Sequence, residues 1–235
     1  MFLTMVLALG QQALFQGGPA GDASPAVATT LRDPNRVIQA TLALHIGLAN
    51  EGTAVLVGNR NGKLLALSAN HLFQGKGKEA HATFFGPGDP PKSEKQLMDV
   101  DVLDSWPDID LVLLTVDAPS KFSLPLQLGE ARSRPGKLRG TTHTAGCDKG
   151  YPYLRPELLI GKVLTTKTSG DVDAFYWEMT DPSIPGRSGG PLVNCDGQII
   201  GICSGTDRKG KGMYIHIDEI RAALKRKGYS ELLRR

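Results

Sequence analysis

The sequence predicts an all-β fold of short strands with one helix at its C-terminal end, and three observations carry that prediction. Twenty-eight glycines and fifteen prolines in 235 residues supply many turns. Turn signals separate paired apolar runs: Asn59-Arg60-Asn61-Gly62 lies between Ala54-Val55-Leu56-Val57 and Leu64-Leu65-Ala66-Leu67, and Asp196-Gly197 lies between Leu192-Val193 and Ile199-Ile200. Only one stretch reads as a helix. It runs from Glu219 to Lys227, capped by Asp218 and stopped by Gly228, with Ile220 and Leu224 on one face. A chain of this length holds two small β-units sharing one cleft.

Taken in order, residues 1–26 differ in character from the rest. Met1 to Leu9 is mostly apolar and Gly17 to Pro25 is rich in Gly, Pro, Ala and Ser. The segment reads as an export signal with a flexible linker, an unstructured tail being the competing reading. Its apolar part is too short to span a bilayer as a helix. Ala66-Leu67-Ser68-Ala69-Asn70-His71-Leu72 then reads as a strand with a histidine at its end. Asp108-Ile109-Asp110 opens Leu111-Val112-Leu113-Leu114, an apolar run typical of a buried strand, so Asp110 is expected half buried, with Asp108 on the same strand face. No internal repeat or low-complexity tract interrupts the chain.

The chemistry is concentrated in Gly186-Arg187-Ser188-Gly189-Gly190-Pro191, a hydroxyl among glycines that leave the surrounding backbone amides free. A serine hydroxyl is a poor nucleophile at neutral pH, so it needs a base beside it and donors aimed at the oxyanion that its attack creates. His71 fits the base, and Asp110 fits the carboxylate that fixes the imidazole tautomer and stabilises the imidazolium. Asp110 is preferred to Asp108 because it directly precedes the apolar run. A histidine base acts only when neutral, so activity is expected to fall in acid. His45 and His216 lie in apolar strand-like runs and read as structural, whereas His81 and His143 read as surface or loop residues. Cys147, in Thr144-Ala145-Gly146-Cys147-Asp148-Lys149-Gly150, lacks a separate base and oxyanion loop and is set aside as a second nucleophile.

Six segments together resemble the trypsin-like (chymotrypsin-fold) serine proteases, and among them the bacterial high-temperature-requirement or Deg-type branch. They are Ser68-Ala69-Asn70-His71, Asp110-Leu111-Val112-Leu113-Leu114, Thr180-Asp181, Gly186 to Leu192, Asp196-Gly197-Gln198-Ile199-Ile200-Gly201-Ile202 and Gly212-Met213-Tyr214-Ile215-His216-Ile217-Asp218. The resemblance implies two six-stranded antiparallel β-barrels with the active site in the cleft between them and a C-terminal α-helix. An N-terminal barrel over 27–120 would hold His71 and Asp110, and a C-terminal barrel over 121–235 would hold Ser188. The same resemblance implies a serine endopeptidase working through an acyl-enzyme on peptides or unfolded proteins, with no metal or organic cofactor. His71, Asp110 and Ser188 would be catalytic, the amides of Gly186 and Ser188 would form the oxyanion hole, and Pro182, Ser204 and Gly205 would meet the substrate.

Departures from that family pattern carry their own expectations. Arg187 stands where the family has aspartate or asparagine, and it cannot pair with a newly freed amino terminus, so activation by amino-terminal cleavage is not expected. Pro182 stands where cleavage after Lys or Arg demands an acid, which points to a small or aliphatic residue before the scissile bond; Asp181, one position away, is the competing pocket acid. The resemblance does not extend to the appended peptide-binding domain of many Deg-type proteases, so switching through such a domain is not expected. Cys147, Cys195 and Cys203 are expected as free thiols, since a two-residue turn at Asp196-Gly197 would put Gln198 rather than Cys203 opposite Cys195. Their spacing to histidines suits no zinc site. The net charge of +3 is concentrated in residues 208–235, where nine Lys or Arg face three Asp or Glu. Without aromatic interleaving this reads as a solvated helix face rather than a nucleic-acid surface.

Two other functions compete. An α/β-hydrolase would place its serine on a strand-to-helix elbow with Asp and then His following it, but Ser188 is followed by hairpin signals and His216 alone. A catalytically silent protease-fold binding or scaffolding module is the second.

Overall fold

The computed structural model describes residues 30–47, 50–75, 79–93, 97–117, 124–130, 142–166 and 172–234. The export segment read in residues 1–26 lies outside them. Helix α1 (Pro34–Ala40) comes first, its Asp33 cap accepting the Arg36 amide at 3.0 Å and Pro34 supplying a φ suited to the first turn. Its seven residues are too few to show a helical period, and the sequence reading missed it.

Six strands follow: β1 (Thr41–Ile46), β2 (Asn50–Arg60), β3 (Lys63–Ala69), β4 (Ala80–Thr83), β5 (Met98–Trp106) and β6 (Leu111–Val116). They close into an antiparallel barrel in the order β1-β2-β3-β6-β5-β4, with β4 pairing back onto β1. The β2–β3 turn is the predicted one: Arg60 lies opposite Lys63, and Asn61 and Gly62 both take the left-handed φ that a tight hairpin needs. Leu64 to Ala69 of β3 are all buried, because one face lines the barrel and the other is covered by the second half of the molecule.

The second sheet comprises β7 (Thr142–Gly146), β8 (Tyr153–Glu157), β9 (Leu159–Thr166), β10 (Asp173–Met179), β11 (Pro191–Val193), β12 (Ile199–Thr206) and β13 (Gly212–His216). Its order is β8-β7-β11-β12-β13-β10-β9. Seven strands appear where six were expected, yet the two edge strands β8 and β9 are separated only by Leu158. They are one strand bent at a corner, and the sheet comes full circle through it. The β11–β12 turn also differs from expectation. The Gly197 amide bonds back to the Asn194 carbonyl, so Cys195 and Asp196 are its central pair, and the Asn194 side chain accepts the amides of Asp196 and Gln198.

Helix α2 (Ile217–Arg226) begins two residues earlier than predicted. Its cap is His216, whose Nδ1 accepts the Asp218 amide at 3.1 Å, so Asp218 stands inside the first turn and Gly228, at φ 82°, follows the end. Both terminal segments cross to the opposite sheet. The Arg32 amide bonds to the Cys195 carbonyl at 2.9 Å, while Tyr229 and Lys227 donate to Asp104 on β5 and Leu232 fills the space left by Gly58 on β2. No helix among the described residues is long and apolar enough to cross a membrane.

Candidate active site

Strand pairing brings the first two predicted residues together. Ala69 at the end of β3 lies opposite Leu111 at the start of β6, so the residue two beyond the one and the residue just before the other share an edge of the barrel. A 3-10 turn at Asn70–Phe73 carries His71, and a second, Pro107–Ile109, ends in Asp110 at φ 63°. The Asp110 carboxylate accepts the His71 amide at 2.8 Å, and His71 Nδ1 lies 2.8 Å from Oδ2 and 3.1 Å from Oδ1. Asp110 is 2 % exposed at its side chain, fully buried rather than half buried, while His71 is 37 % exposed. Asp108 is not on the strand at all; it projects from the 3-10 turn into solvent.

Ser204 completes the carboxylate's shell in a way the sequence did not disclose. The register of β12 against β13 shifts between Cys203 and Gly205, leaving Ser204 as the extra residue of a bulge. Such a bulge re-aims a side chain, and here the Ser204 hydroxyl donates to Asp110 Oδ2. Gly205 follows at φ 109°, half-buried.

Ser188 is carried by a loop stitched to both sheets. Its carbonyl accepts the Thr53 amide of β2 at 2.8 Å, the Gly189 amide donates to the Cys203 carbonyl at 2.8 Å, and the Cys203 amide donates to the Gly190 carbonyl at 2.8 Å. Only glycine fits at 189. Its φ is 85°, and a Cβ there would fall 2.1 Å from the Thr53 carbonyl oxygen and 2.2 Å from the Ser68 hydroxyl. The loop therefore lies against the end of β3 that leads into His71. The Thr53 hydroxyl donates to the Gly186 carbonyl at 2.6 Å, whereas the amides of Gly186 and Ser188 donate to no acceptor among the described residues.

Beside this loop, segment 181–185 faces β12. Thr206 Oγ1 accepts the Ser183 amide at 2.9 Å and donates to the Ser183 carbonyl at 3.2 Å, and Ser183 Oγ lies 3.0 Å from Cys203 Sγ. Pro182 is exposed at the segment's outer side. The Asp181 carboxylate turns to Arg155, at 2.8 Å, and its backbone carbonyl accepts the Gly212 amide. A groove of about 660 Å³ continues past Thr206, lined by Val163, Tyr176, Arg208 and Met213 among others.

Arg187 does not reach the cleft. Its guanidinium is buried against Asp148 at 2.7 Å and donates further to the Thr144 hydroxyl and carbonyl and to the Tyr153 carbonyl. Nearby, burial pushes the Glu157 carboxyl above its ordinary range, partly offset by Arg155. The Cys147 thiol, pushed up to about 12 by burial, stays protonated. Cys147, Cys195 and Cys203 are free, the first and last buried. His45 bonds to Thr83 as a structural residue; His81 and His143, read as surface or loop residues, stand part-exposed in β4 and β7. Among the described residues no cluster of three or more His, Cys, Asp or Glu is arranged to hold a metal ion. The contributions of Thr53, Ser204 and Asp148 escaped the sequence reading because each depends on contacts between distant segments.

The sequence matches the family model for the trypsin-like peptidase domain over residues 52–202. The chain belongs to this family. Among curated proteins it is similar to serine protease HTRA1B of Danio rerio, 35 % identical over 123 residues that make up 49 % of this chain and 24 % of that protein. Serine protease HTRA1A of the same organism is 34 % identical over 123 residues, with the same two shares, 49 % and 24 %. The match thus spans about a quarter of the length of these relatives. Among solved structures, the active form of the Rv3671c protease from M. tuberculosis shares the fold with a TM-score of 0.64 at 17 % identity, over 92 % of this chain and 95 % of that one. Deg5 does so with a TM-score of 0.62 at 16 % identity, over 80 % and 88 %. The double-barrel architecture of the family is the architecture of this chain.

Proposed function

We propose that this trypsin-like peptidase is a serine endopeptidase that cleaves peptides or unfolded proteins through an acyl-enzyme. The observation that carries the reading is the His71–Asp110–Ser204 hydrogen-bonded set beside a serine loop whose Gly186 and Ser188 amides lack acceptors. With Nδ1–H held by Asp110, the His71 Nε2 lone pair takes the Ser188 proton as Oγ attacks the scissile carbonyl. The carbonyl oxygen becomes an oxyanion and receives the two amides, and removal of one such donor costs about 2.7 to 4 kcal/mol of transition-state stabilisation. His71 returns its proton to the leaving amine, and water then hydrolyses the ester by the same route. The reaction calls for no cofactor.

Substrate specificity follows from the walls of the cleft. Thr206 and Ser183 bridge the space between 181–185 and β12, and Asp181 is engaged by Arg155, which supports a small side chain before the scissile bond rather than Lys or Arg. The substrate backbone would run along Ser204 and Gly205, with Pro182 at the pocket rim and upstream residues in the groove beyond Thr206. An exported setting belongs to the same reading and is carried by the apolar stretch from Met1 to Leu9. The test is labelling by a fluorophosphonate probe together with hydrolysis of a peptide library. Both are expected in the wild type and both are expected to vanish in Ser188→Ala. A folded wild type that neither labels nor hydrolyses would instead be a silent binding module.

A further inference from the structure

We infer that the Arg187–Asp148 ion pair is a built-in anchor that holds the Gly186 and Ser188 amides in their donating orientation. The inference rests on the oxyanion role proposed for those amides. Arg187 lies between them in the chain: the 187–188 peptide, which carries the Ser188 amide, is attached to it directly, and the 185–186 peptide, which carries the Gly186 amide, lies one residue further, where Gly186 packs on the Asp148 backbone. The side chain is fixed unusually well: it is 2 % exposed, Asp148 is 9 % exposed, and Nη1 meets the carboxylate at 2.7 Å. Nη2 donates to the Thr144 hydroxyl at 2.8 Å, the Thr144 carbonyl at 3.1 Å and the Tyr153 carbonyl at 3.2 Å. A planar fork with several donors is the side chain suited to such a site.

The backbone around Arg187 is shaped to the same end. Gly146 gives the stem its bed, for a Cβ there would sit 2.7 Å from Arg187 Cγ. Gly186, at φ 89°, lies flat on the Asp148 backbone, where a Cβ would meet Asp148 Cα at 3.0 Å. The Gly186 carbonyl is drawn to the Thr53 hydroxyl, and the same hydroxyl accepts the Cys147 amide at 3.0 Å. The Arg187 amide closes a turn onto the Ile184 carbonyl, and its carbonyl closes another from the Gly190 amide. From Gly186 to Ser188, every backbone N–H and carbonyl has a partner among the described residues except the Gly186 and Ser188 amides. Segment 147–148 touches the loop both through its backbone and through the ion pair, so losing the Asp148 charge would free the arginine and let the 185–186 peptide rotate. The anchor is internal, and it requires no amino terminus generated by cleavage.

Asp148→Asn, Arg187→Lys and Arg187→Met test this with steady-state kinetics on a peptide substrate and amide NMR of Gly186 and Ser188. Because a lost oxyanion donor lowers kcat by about 10² to 10³, a misaimed one in Asp148→Asn is expected to lower kcat by at least about tenfold with KM unchanged. Arg187→Lys is expected to retain more kcat than Arg187→Met, and the two amide signals are expected to move in Asp148→Asn while those of the barrels stay in place. A rise in KM alone, or a lysine no better than methionine, overturns the anchor. If the wild type hydrolyses nothing, the proposed function fails separately and the amide signals decide the anchor: unmoved Gly186 and Ser188 amides in Asp148→Asn overturn it, and displaced ones sustain it.

Discussion

Thr206 and Ser183 exchange two hydrogen bonds across the space beside Ser188, one accepted from an amide and one donated to a carbonyl. The threonine side chain is therefore held as a crossbar, not left as a flexible wall. A hydrophobic pocket distinguishes substrates by about 1 to 3 kcal/mol per methylene, so removing this side chain changes which residues fit. Thr206→Gly is expected to raise kcat/KM for peptides with Leu or Phe before the scissile bond by about tenfold relative to Ala peptides. An unchanged preference in a peptide-library profile would count against the crossbar. At this scale the sequence was unevenly legible. His71 and Asp110 stood out because one ends and the other opens a distinctive apolar run, and Ser188 because it sits among glycines. The Ser204 hydroxyl bond to Asp110 stayed hidden because it arises from a bulge that no local pattern announces.

His216 is where β13 passes into α2, and it serves both. Its Nδ1 accepts the Asp218 amide, and its ring packs against Trp177, tilted by 44° with centroids 4.2 Å apart. Burial first, and then the Lys162 ammonium, push its pKa down to about 4, with Asp218 pulling the other way. An unfolded histidine titrates near about 6.5, so between that pH and about 4 the unfolded chain binds a proton that the folded chain refuses. The stabilising preference is complete above about 6.5 and is lost progressively as the pH falls, a difference of order 3 kcal/mol. Glu157, raised by burial, slopes in the opposite sense, so the comparison must be made against a variant. In urea unfolding, His216→Gln is expected to show a smaller loss of stability from pH 7 to 4.5 than the wild type; equal losses would remove His216 as the cause. Elements were legible where local chemistry decides them, as at Asn61-Gly62. The start of α2 was misplaced because a histidine rarely caps a helix, and the β8–β9 corner was invisible because Leu158 carries no turn signal.

The two halves of the molecule hold each other by exchanged ends. The segment before β1 is fastened to the second sheet through Arg32 and Cys195, and the segment after α2 is fastened to the first through Tyr229, Lys227 and Asp104. Such cross-fastening makes joint unfolding the expected behaviour. Tyr229→Phe, which deletes the hydroxyl bonded to Asp104, is expected to lower stability by about 1 kcal/mol in a denaturant titration. A separate early transition of the first barrel in that variant would show that the fastening, rather than the shared core, joins the halves. The resemblance carried the double barrel into view from sequence, but this exchange stayed hidden because it pairs residues more than a hundred positions apart, such as Lys227 with Asp104. It also sets a timetable for synthesis. On the ribosome, the half bearing His71 and Asp110 emerges well before Ser188, and the strap at Tyr229 that ties it to its neighbour emerges later still. The two halves therefore cannot be fastened to each other through Asp104 until synthesis has passed Tyr229.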